Sequence, residues 1–343
     1  MKHYKIAALP GEGIGLEVVE ATLNILQHVA TRHNLKLQIN YGLIGEQALK
    51  KYGSYFPAET LQICSQADGI LFGAVSKGGL LELRKQFDFF VNLRPVKVCS
   101  SLINYSSLKK NLLSEVDILF VRELVSGIYF GVSGREKDRQ GNYGYHTMKY
   151  YDWQIKRIAK VALEKARHRK NLLTVAHKEN ALPHLPWTRL VAEVAGAYPD
   201  VKVEPMLVDN LAMQLVINPQ HFDVILGGNL FGDILSDLGG ALVGSIGLLG
   251  SASLNSNGLG LYEPIHGTAP DIAGKNQANP LGTLASAMMM LEQWGEVEAI
   301  NSLQQAWDNI LAQGYRTQDL YNSLDTEILV STQELVQLFC KLL

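Results

Sequence analysis

What the 343-residue chain lacks narrows its class before any motif is read. Its three cysteines, Cys64, Cys99 and Cys340, are odd in number and scattered. Neither a disulfide framework nor a zinc site fits that spacing, whereas a reducing, cytoplasmic setting does. Excess charge of one sign is also missing. A formal net charge of −2 leaves no electrostatic footprint for nucleic acid or an anionic membrane, so any anion site must be local. No apolar run approaches the roughly 20 residues needed to span a bilayer. The first residues, MKHYKIAALPGEG, read as a strand running into a turn, without the apolar stretch of a signal peptide. What is present is ordinary globular material, 47% hydrophobic and 19% charged, with ample apolar residues for a core. The length predicts two lobes or one large α/β unit.

Along the chain, apolar runs alternate with amphipathic stretches. KIAALP (5–10) predicts a buried strand, and LEVVEATLNILQHVA (16–30) carries helical periodicity. Further strand-like runs are GILFGAV, VDILFV, NLLTVA, VEPMLV and FDVILG, most of them followed by helical patterns. Such βα alternation predicts a largely parallel sheet with helices on its faces, whose functional groups gather at the carboxyl ends of strands. GVSGREKDRQGNYGYH (131–146) is too charged to pack and reads as a projecting arm or hairpin. The glycine-rich stretch at 239–260 reads as a separator of two halves, and the chain from about Leu281 onward reads as helices.

The strongest chemical signal is GNLFGDILSD (228–237), which follows a strand and opens a helix. Asp233 and Asp237 stand four apart, on one helical face, where like charges repel unless a cation lies between them. Asp209, at the end of VEPMLVD, adds a third carboxylate. Divalent ions such as Mg²⁺ take such oxygen ligands. The bland alternative is a helix with solvated aspartates. A second constellation is basic: Arg84 in a predicted helix, Arg94 at a strand start, and Arg122 after VDILFV. Three arginines beside buried runs fit a substrate with more than one carboxylate; structural ion pairs with Glu82 or Glu123 are the alternative. Tyr129 and Lys178 are the candidates for proton transfer, each also readable as a core tyrosine or a surface lysine. His177 reads as structural. GEGIG (11–15) does not match G-x-G-x-x-G. In the loop EPIHGTAPDIAGKNQANP (263–280), Asp271 could accept hydrogen bonds from a ribose and repel a 2′-phosphate, which favours NAD over NADP.

Taken together and in this order, PGEGIG, LLELRK with NLRP, VRELVSGIYFG, GNLFGDILSD and EPIHGTAPDIAGKNQANP resemble the β-decarboxylating dehydrogenases over essentially the whole chain. LLELR and RELVSGIYFG resemble the isopropylmalate branch of that family. The resemblance implies an α/β fold with a largely parallel central sheet that is not a true Rossmann fold. Residues 1–91 and 246–343 would form a discontinuous cofactor domain. Residues 92–245 would form a dimerisation, substrate and metal domain bearing the arm near 131–146. It further implies that Arg84, Arg94 and Arg122 hold the malate carboxylates, and that Asp209, Asp233 and Asp237 ligate Mg²⁺ or Mn²⁺, Asp209 also touching substrate. Lys178 would take the hydroxyl proton and Tyr129 would protonate the enol. Ile14, Glu263, His266, Gly267, Thr268, Ala269, Asp271, Ile272 and Asn279 would line the NAD site. Lys178 and Asp209 would come from the partner in a cytoplasmic homodimer.

The implied reaction converts 3-isopropylmalate to 4-methyl-2-oxopentanoate, as in leucine biosynthesis. Three departures bear on that substrate. The loop before the LLELR helix is cut to GAVSKGG (73–79), with Lys77 about where the branch carries a glutamate beside the alkyl group. KANV becomes KENA, so Ala181 replaces a valine that packs on the isopropyl group. Leu80 and Leu81, the apolar wall, remain. An enlarged pocket would admit a bulkier 3-substituted malate such as 3-benzylmalate. A catalytically silent, nucleotide-binding regulatory relative is the reading from another class, although every acid–base and carboxylate residue is present. PGDGIG is altered to PGEGIG, a conservative change.

Overall fold

The computed structural model describes residues 1–343, and the chain divides into two compact units. Unit 1 comprises Met1–Asp88, Cys99–Ser107 and Val243–Leu343; unit 2 comprises Phe89–Val98 and Leu108–Leu242. Each is an α/β layer structure around a mostly parallel sheet.

Unit 1 opens with β1 (Lys2–Gly11), α1 (Gly15–Arg32) and β2 (Leu35–Tyr41), followed by α2 (Glu46–Tyr52), α3 (Ala58–Ser65), β3 (Gly69–Ala74) and α4 (Leu80–Gln86). Ile6 to Leu9 of β1 and the whole of β3 are buried. Such continuous apolar runs are what a parallel strand covered on both faces requires. In α1 the buried residues Val18, Val19, Thr22, Leu23, Ile25, Leu26 and Val29 recur at three- and four-residue spacing and turn one stripe to the sheet.

Unit 2 contains β4 (Val91–Lys97), α5 (Lys110–Leu113), β5 (Asp117–Glu123), the hairpin β6 (Ser133–Asp138) and β7 (Gly141–His146), and α6 (Asp152–Arg167). Next come β8 (Leu172–His177), α7 (Trp187–Ala195), β9 (Lys202–Leu207), α8 (Val208–Ile217), β10 (Val224–Gly227) and α9 (Asn229–Val243). Its strands run in the order β4-β5-β10-β8-β9. All pairs are parallel except β4 with β5. The arm expected near 131–146 is the β6–β7 hairpin, paired from Ser133↔His146 to Asp138↔Gly141.

The chain then returns to unit 1 with β11 (Gly250–Leu254), β12 (Gly260–Pro264), α10 (Leu281–Gln293), α11 (Val297–Ala312), the short pair β13 (Tyr315–Arg316) and β14 (Ile328–Leu329), and α12 (Thr332–Leu342). Unit 1's strands run β2-β1-β3-β12-β11, with β12 parallel to β3 and antiparallel to β11. That order is not the 3-2-1-4-5-6 arrangement of a Rossmann sheet. The helices after Leu281 appear as expected. The stretch 239–260 does contain the passage between the units, unit 2 ending at Leu242 and unit 1 resuming at Val243, and it is structured: its first residues complete α9 and Gly250–Leu254 is a buried strand. Its small residues mark close packing. Ser251 N lies 3.1 Å from Ser286 Oγ of α10, an approach that bulkier side chains would block. No helix is long and apolar enough to cross a membrane, and all three cysteines are free.

Candidate active site

In unit 2 the carboxyl ends of four strands carry candidate site residues. Arg122 lies near the end of β5, Lys178 follows β8, Asp209 follows β9, and Asn229 follows β10. Register explains how two arginines meet one helix. Asn92 of β4 pairs with Arg122 of β5, so Arg94 stands two residues along on the same side as Asn92. Arg94 Nε donates to Asn92 Oδ1 at 2.8 Å, its Nη1 donates to Ser236 Oγ and Asp237 Oδ1 at 2.8 Å each, and its Nη2 reaches Asp233 Oδ1 at 3.2 Å. Arg122 is held harder. Its Nε and Nη2 donate to Asn229 Oδ1 at 3.0 and 2.6 Å, and its Nη1 to Asp233 Oδ1 at 2.5 Å. Gly232 is required for that contact, because a Cβ there would meet the Arg122 side chain at 2.8 Å.

Tyr129 completes this cluster. Its hydroxyl donates to Asp233 Oδ2 at 3.1 Å, and its ring lies beneath the Arg122 guanidinium, 5.8 Å from centroid to Cζ. Burial pushes the phenol pKa up, and the adjacent Asp233 carboxylate adds to it, so the hydroxyl keeps its proton and can donate. Burial also raises the Asp237 carboxyl, against the pull of Arg94 and with the help of Asp233.

Lys178 and Asp209 form a separate pair, Nζ to Oδ1 2.6 Å. Its hydrogen bond from Lys178 holds the Asp209 carboxyl below its ordinary range. The lysine stem borders a cleft of about 10 Å³ lined by Met148, Tyr150, Leu182, Trp187 and Phe231 among others, room for roughly one water. Ala181 is exposed in the turn just after Lys178, its N–H donating to the Lys178 carbonyl at 3.0 Å. The three aspartates are therefore not gathered: no group of three or more His, Cys, Asp or Glu in the chain could hold a metal. Asp233 and Asp237 supply a two-carboxylate face on α9, chemically suited to a hard divalent ion, and Asp209 stands with Lys178.

The structure also settles the ion-pair alternatives. Arg84 pairs with Glu263 at 2.7 Å, both nearly buried, and not with Glu82. Arg122 takes Asp233, whereas the buried Glu123 accepts from the Val125 and Ser126 amides. His177 Nδ1 accepts from the Glu179 amide at 3.4 Å. Glu179, with Ala181 one of the two altered residues of KENA, in turn accepts from Thr188 N and Oγ1 at 2.7 Å each.

In unit 1, Ile14 N donates to Thr268 O at 2.9 Å, drawing the turn before α1 onto the 263–280 loop. Ile14, Val18 and Ala278 form a small apolar cluster flanked by Ala269 and Ile272. Ala269 has φ +37°, the left-handed region that costs a side chain of order 1 kcal/mol and recurs at functional loops. His266 Nδ1 lies 2.9 Å from Gly267 O, while its Nε2 is buried without a partner. Burial lowers the imidazole pKa despite the Gly267 carbonyl and the Asp319 charge. Asp271 and Gly267 are exposed. Asn279 is buried, and its side chain is used internally: Nδ2 donates to Asp319 and Oδ1 accepts from Leu281 N. Leu80 is half-buried, Leu81 is 42% exposed, and Lys77 is exposed.

Asn229, Ser236 and Asn92, which fix the two arginines, were missed from the sequence. Asn229 and Ser236 sit inside GNLFGDILSD, where polar residues at the core-facing positions of a helix were the available signal.

The fold is that of an α/β enzyme acting on a small molecule, with an arginine–carboxylate–tyrosine cluster at the carboxyl ends of its unit 2 strands. Comparison with known proteins gives the family: residues 5–339 match the isocitrate/isopropylmalate dehydrogenase model, and the chain belongs to that family of dehydrogenases. It is 44% identical over 338 residues to 3-isopropylmalate dehydrogenase of Aquifex aeolicus, covering 94% of this chain and 93% of that one. It is 45% identical over 335 residues to that of Wolinella succinogenes (93% and 92%). Among solved structures it resembles isocitrate dehydrogenase from Methylococcus capsulatus, with a TM-score of 0.89, 28% identity and 99% of each chain covered.

Proposed function

We propose that this enzyme oxidises and decarboxylates a 3-substituted malate, 3-isopropylmalate to 4-methyl-2-oxopentanoate in leucine biosynthesis, with NAD⁺ and Mg²⁺ or Mn²⁺ in the cytoplasm. The observation that carries this reading is the convergence of Arg94, Arg122 and Tyr129 on the Asp233–Asp237 face. Unit 1 would hold the dinucleotide through Ile14, Glu263, His266–Ala269, Asp271, Ile272 and the backbone of Asn279. The orphaned Nε2 of His266 fits a ligand-facing role. Asp233 and Asp237, with Asp209 and Lys178 from the partner of a homodimer, would hold the divalent ion and the substrate hydroxyl. Bound there, the ion and NAD⁺ supply a Lewis acid and a hydride acceptor.

The chain's own residues do the rest. Arg84, Arg94 and Arg122 orient the two carboxylates of malate by exchanging part of their present carboxylate contacts for those of the substrate. Lys178 accepts the proton of the 2-hydroxyl as hydride leaves C2, giving the 2-oxo acid. Loss of CO₂ from C3 leaves an enolate, and Tyr129, kept neutral by its surroundings, gives its proton to C3 to form the ketone. Its position against Asp233 supports that direction of transfer.

A panel of 3-substituted malates assayed with NAD⁺ and NADP⁺, with and without added Mg²⁺, tests this. Metal-dependent NADH formation is expected, with NADP⁺ poor. A folded protein that turns over none of them sinks the proposal. The short 75–79 segment and exposed Ala181 favour one further substrate, a bulkier malate such as 3-benzylmalate. Ala181→Val with Lys77→Glu should then move the kcat/KM ratio toward 3-isopropylmalate by roughly tenfold, the lower end of what pocket filling gives.

A further inference from the structure

The glutamate of the PGEGIG turn does something that an aspartate could not. Glu12 Oε1 accepts from the Glu46 amide at 2.6 Å. Its Oε2 accepts from the Ser76 amide at 3.0 Å and from the Ser76 hydroxyl. The Glu12 amide itself donates to Ala74 O at 2.7 Å. One carboxylate thus ties together three connections of unit 1: the β1–α1 turn, the 42–45 loop before α2, and the 75–79 turn before α4. Burial raises this carboxyl, but the hydrogen bonds from Ser76 and the Glu46 amide outweigh it and hold it below its ordinary range. The group is therefore charged at neutral pH, and its hydrogen bonds are the stronger for it. An aspartate, one carbon–carbon bond of about 1.5 Å shorter, could not reach Ser76 and Glu46 together from the same backbone.

The turn so anchored is braced from its other side. Gly45 N donates to Tyr55 O at 3.0 Å. The Tyr55 ring occupies the place a Gly78 side chain would take, 2.3 Å from an ideal Cβ, with Gly78 at φ +61°. A connection this short has few residues of its own to pack, so the anchor comes from outside it.

We propose that Glu12 is a positioning residue that fixes the 75–79 turn, and with it the start of α4 bearing Leu80, Leu81 and Arg84, as a preformed wall of the substrate site. This rests on the reading of α4 as that wall given above. If the turn were loose, substrate binding would have to order it, and the cost would fall on KM for the malate more than on kcat.

The test uses Glu12→Gln, Glu12→Asp and Ser76→Ala in the full-length protein, with steady-state kinetics and amide exchange. For Glu12→Gln, KM for 3-isopropylmalate should rise roughly tenfold, the equivalent of losing about one charge-assisted hydrogen bond. KM for NAD⁺ and kcat should stay within about twofold. The Ser76 amide should exchange faster while that of buried Leu71 is unchanged. Glu12→Asp should behave like Glu12→Gln, and Ser76→Ala should show a smaller shift of the same kind. Wild-type kinetics in Glu12→Asp, or a rise confined to KM for NAD⁺, overturns the proposal. Should Glu12→Gln not fold, unchanged KM and exchange in Ser76→Ala would overturn it instead. If the wild type oxidises no 3-substituted malate, the functional reading fails by itself, and exchange at Ser76 still decides whether Glu12 holds the turn.

Discussion

Arg122 and Asp233 meet at 2.5 Å, with the arginine side chain 2% exposed and the aspartate 28%. The same carboxylate also takes Arg94 and the Tyr129 hydroxyl. Asp233 is thus the electrostatic hub of unit 2, answering two guanidinium charges that burial would otherwise penalise.

Replacing it separates structural from chemical roles. Asp233→Asn removes the negative charge that answers Arg122 and Arg94 and leaves at best a neutral amide oxygen in its place. Breaking a fully buried pair costs about 3–5 kcal/mol, and the partial exposure of Asp233 reduces this to roughly 2 kcal/mol. Urea unfolding should show that loss, with a smaller one for Asp237→Asn, whose carboxylate is half exposed. Added Mg²⁺ should raise the melting temperature of the wild type, since a ligand that binds only the folded state stabilises it. It should leave that of Asp233→Asn unmoved. Equal Mg²⁺ protection of both proteins would remove Asp233 from the proposed metal site.

Arg84 and Glu263 form the corresponding buried pair of unit 1. Arg84→Met strands a nearly buried carboxylate and should cost about 3–5 kcal/mol. Arg84→Met combined with Glu263→Gln should recover most of it, giving a coupling energy in a double-mutant cycle. If Arg84 served only the substrate, the single variant would lose affinity for malate with its stability intact.

How far the sequence could be read follows from the range of each interaction. Strands such as β3 and helices such as α1 were legible because burial writes period and run length directly into neighbouring residues. Asp233 and Asp237 were legible as a pair because both lie on one helix, four residues apart. Arg84 was legible as an arginine beside a buried run, but not its partner. Glu263 lies 179 positions away, and nothing local chooses it over Glu82. Glu12 shows the same limit: a one-methylene change looks conservative until the 75–79 turn, 64 positions on, comes within its reach. The 239–260 stretch was legible as the passage between two halves, but its strand was not, because glycine marks both chain crossings and tight packing.

His266 gives a pH signature. Its pKa is lowered from the ordinary 6.5, chiefly by burial. The unfolded chain therefore takes up this proton at a higher pH than the folded one. The stability it contributes is complete above about pH 6.5 and is lost as pH falls through the lower folded value. Unfolding free energies at pH 7 and pH 5 should drop more in the wild type than in His266→Gln, the other histidines cancelling in the difference. Parallel pH profiles would mean that the imidazole titrates as if in water.

Asp209 and Lys178 pair with each other, away from Asp233 and Asp237, and Asp209 is 64% exposed in its side chain. Met213, Val216 and Ile217 of α8 and Ile234 of α9 are also exposed, apolar surface that a second copy would cover. If each active site takes Lys178 from the partner, two inactive variants should complement. In a dimer of Lys178→Met with Asp233→Asn, one site joins the intact Asp233 of the first chain to the intact Lys178 of the second, and the other site carries both lesions. Random pairing of equal amounts makes half the dimers mixed, each with one working site of two, so co-refolded protein should regain about a quarter of wild-type activity. Were each site built from one chain, every site would carry one lesion or the other, and the mixture would stay as inactive as its parents.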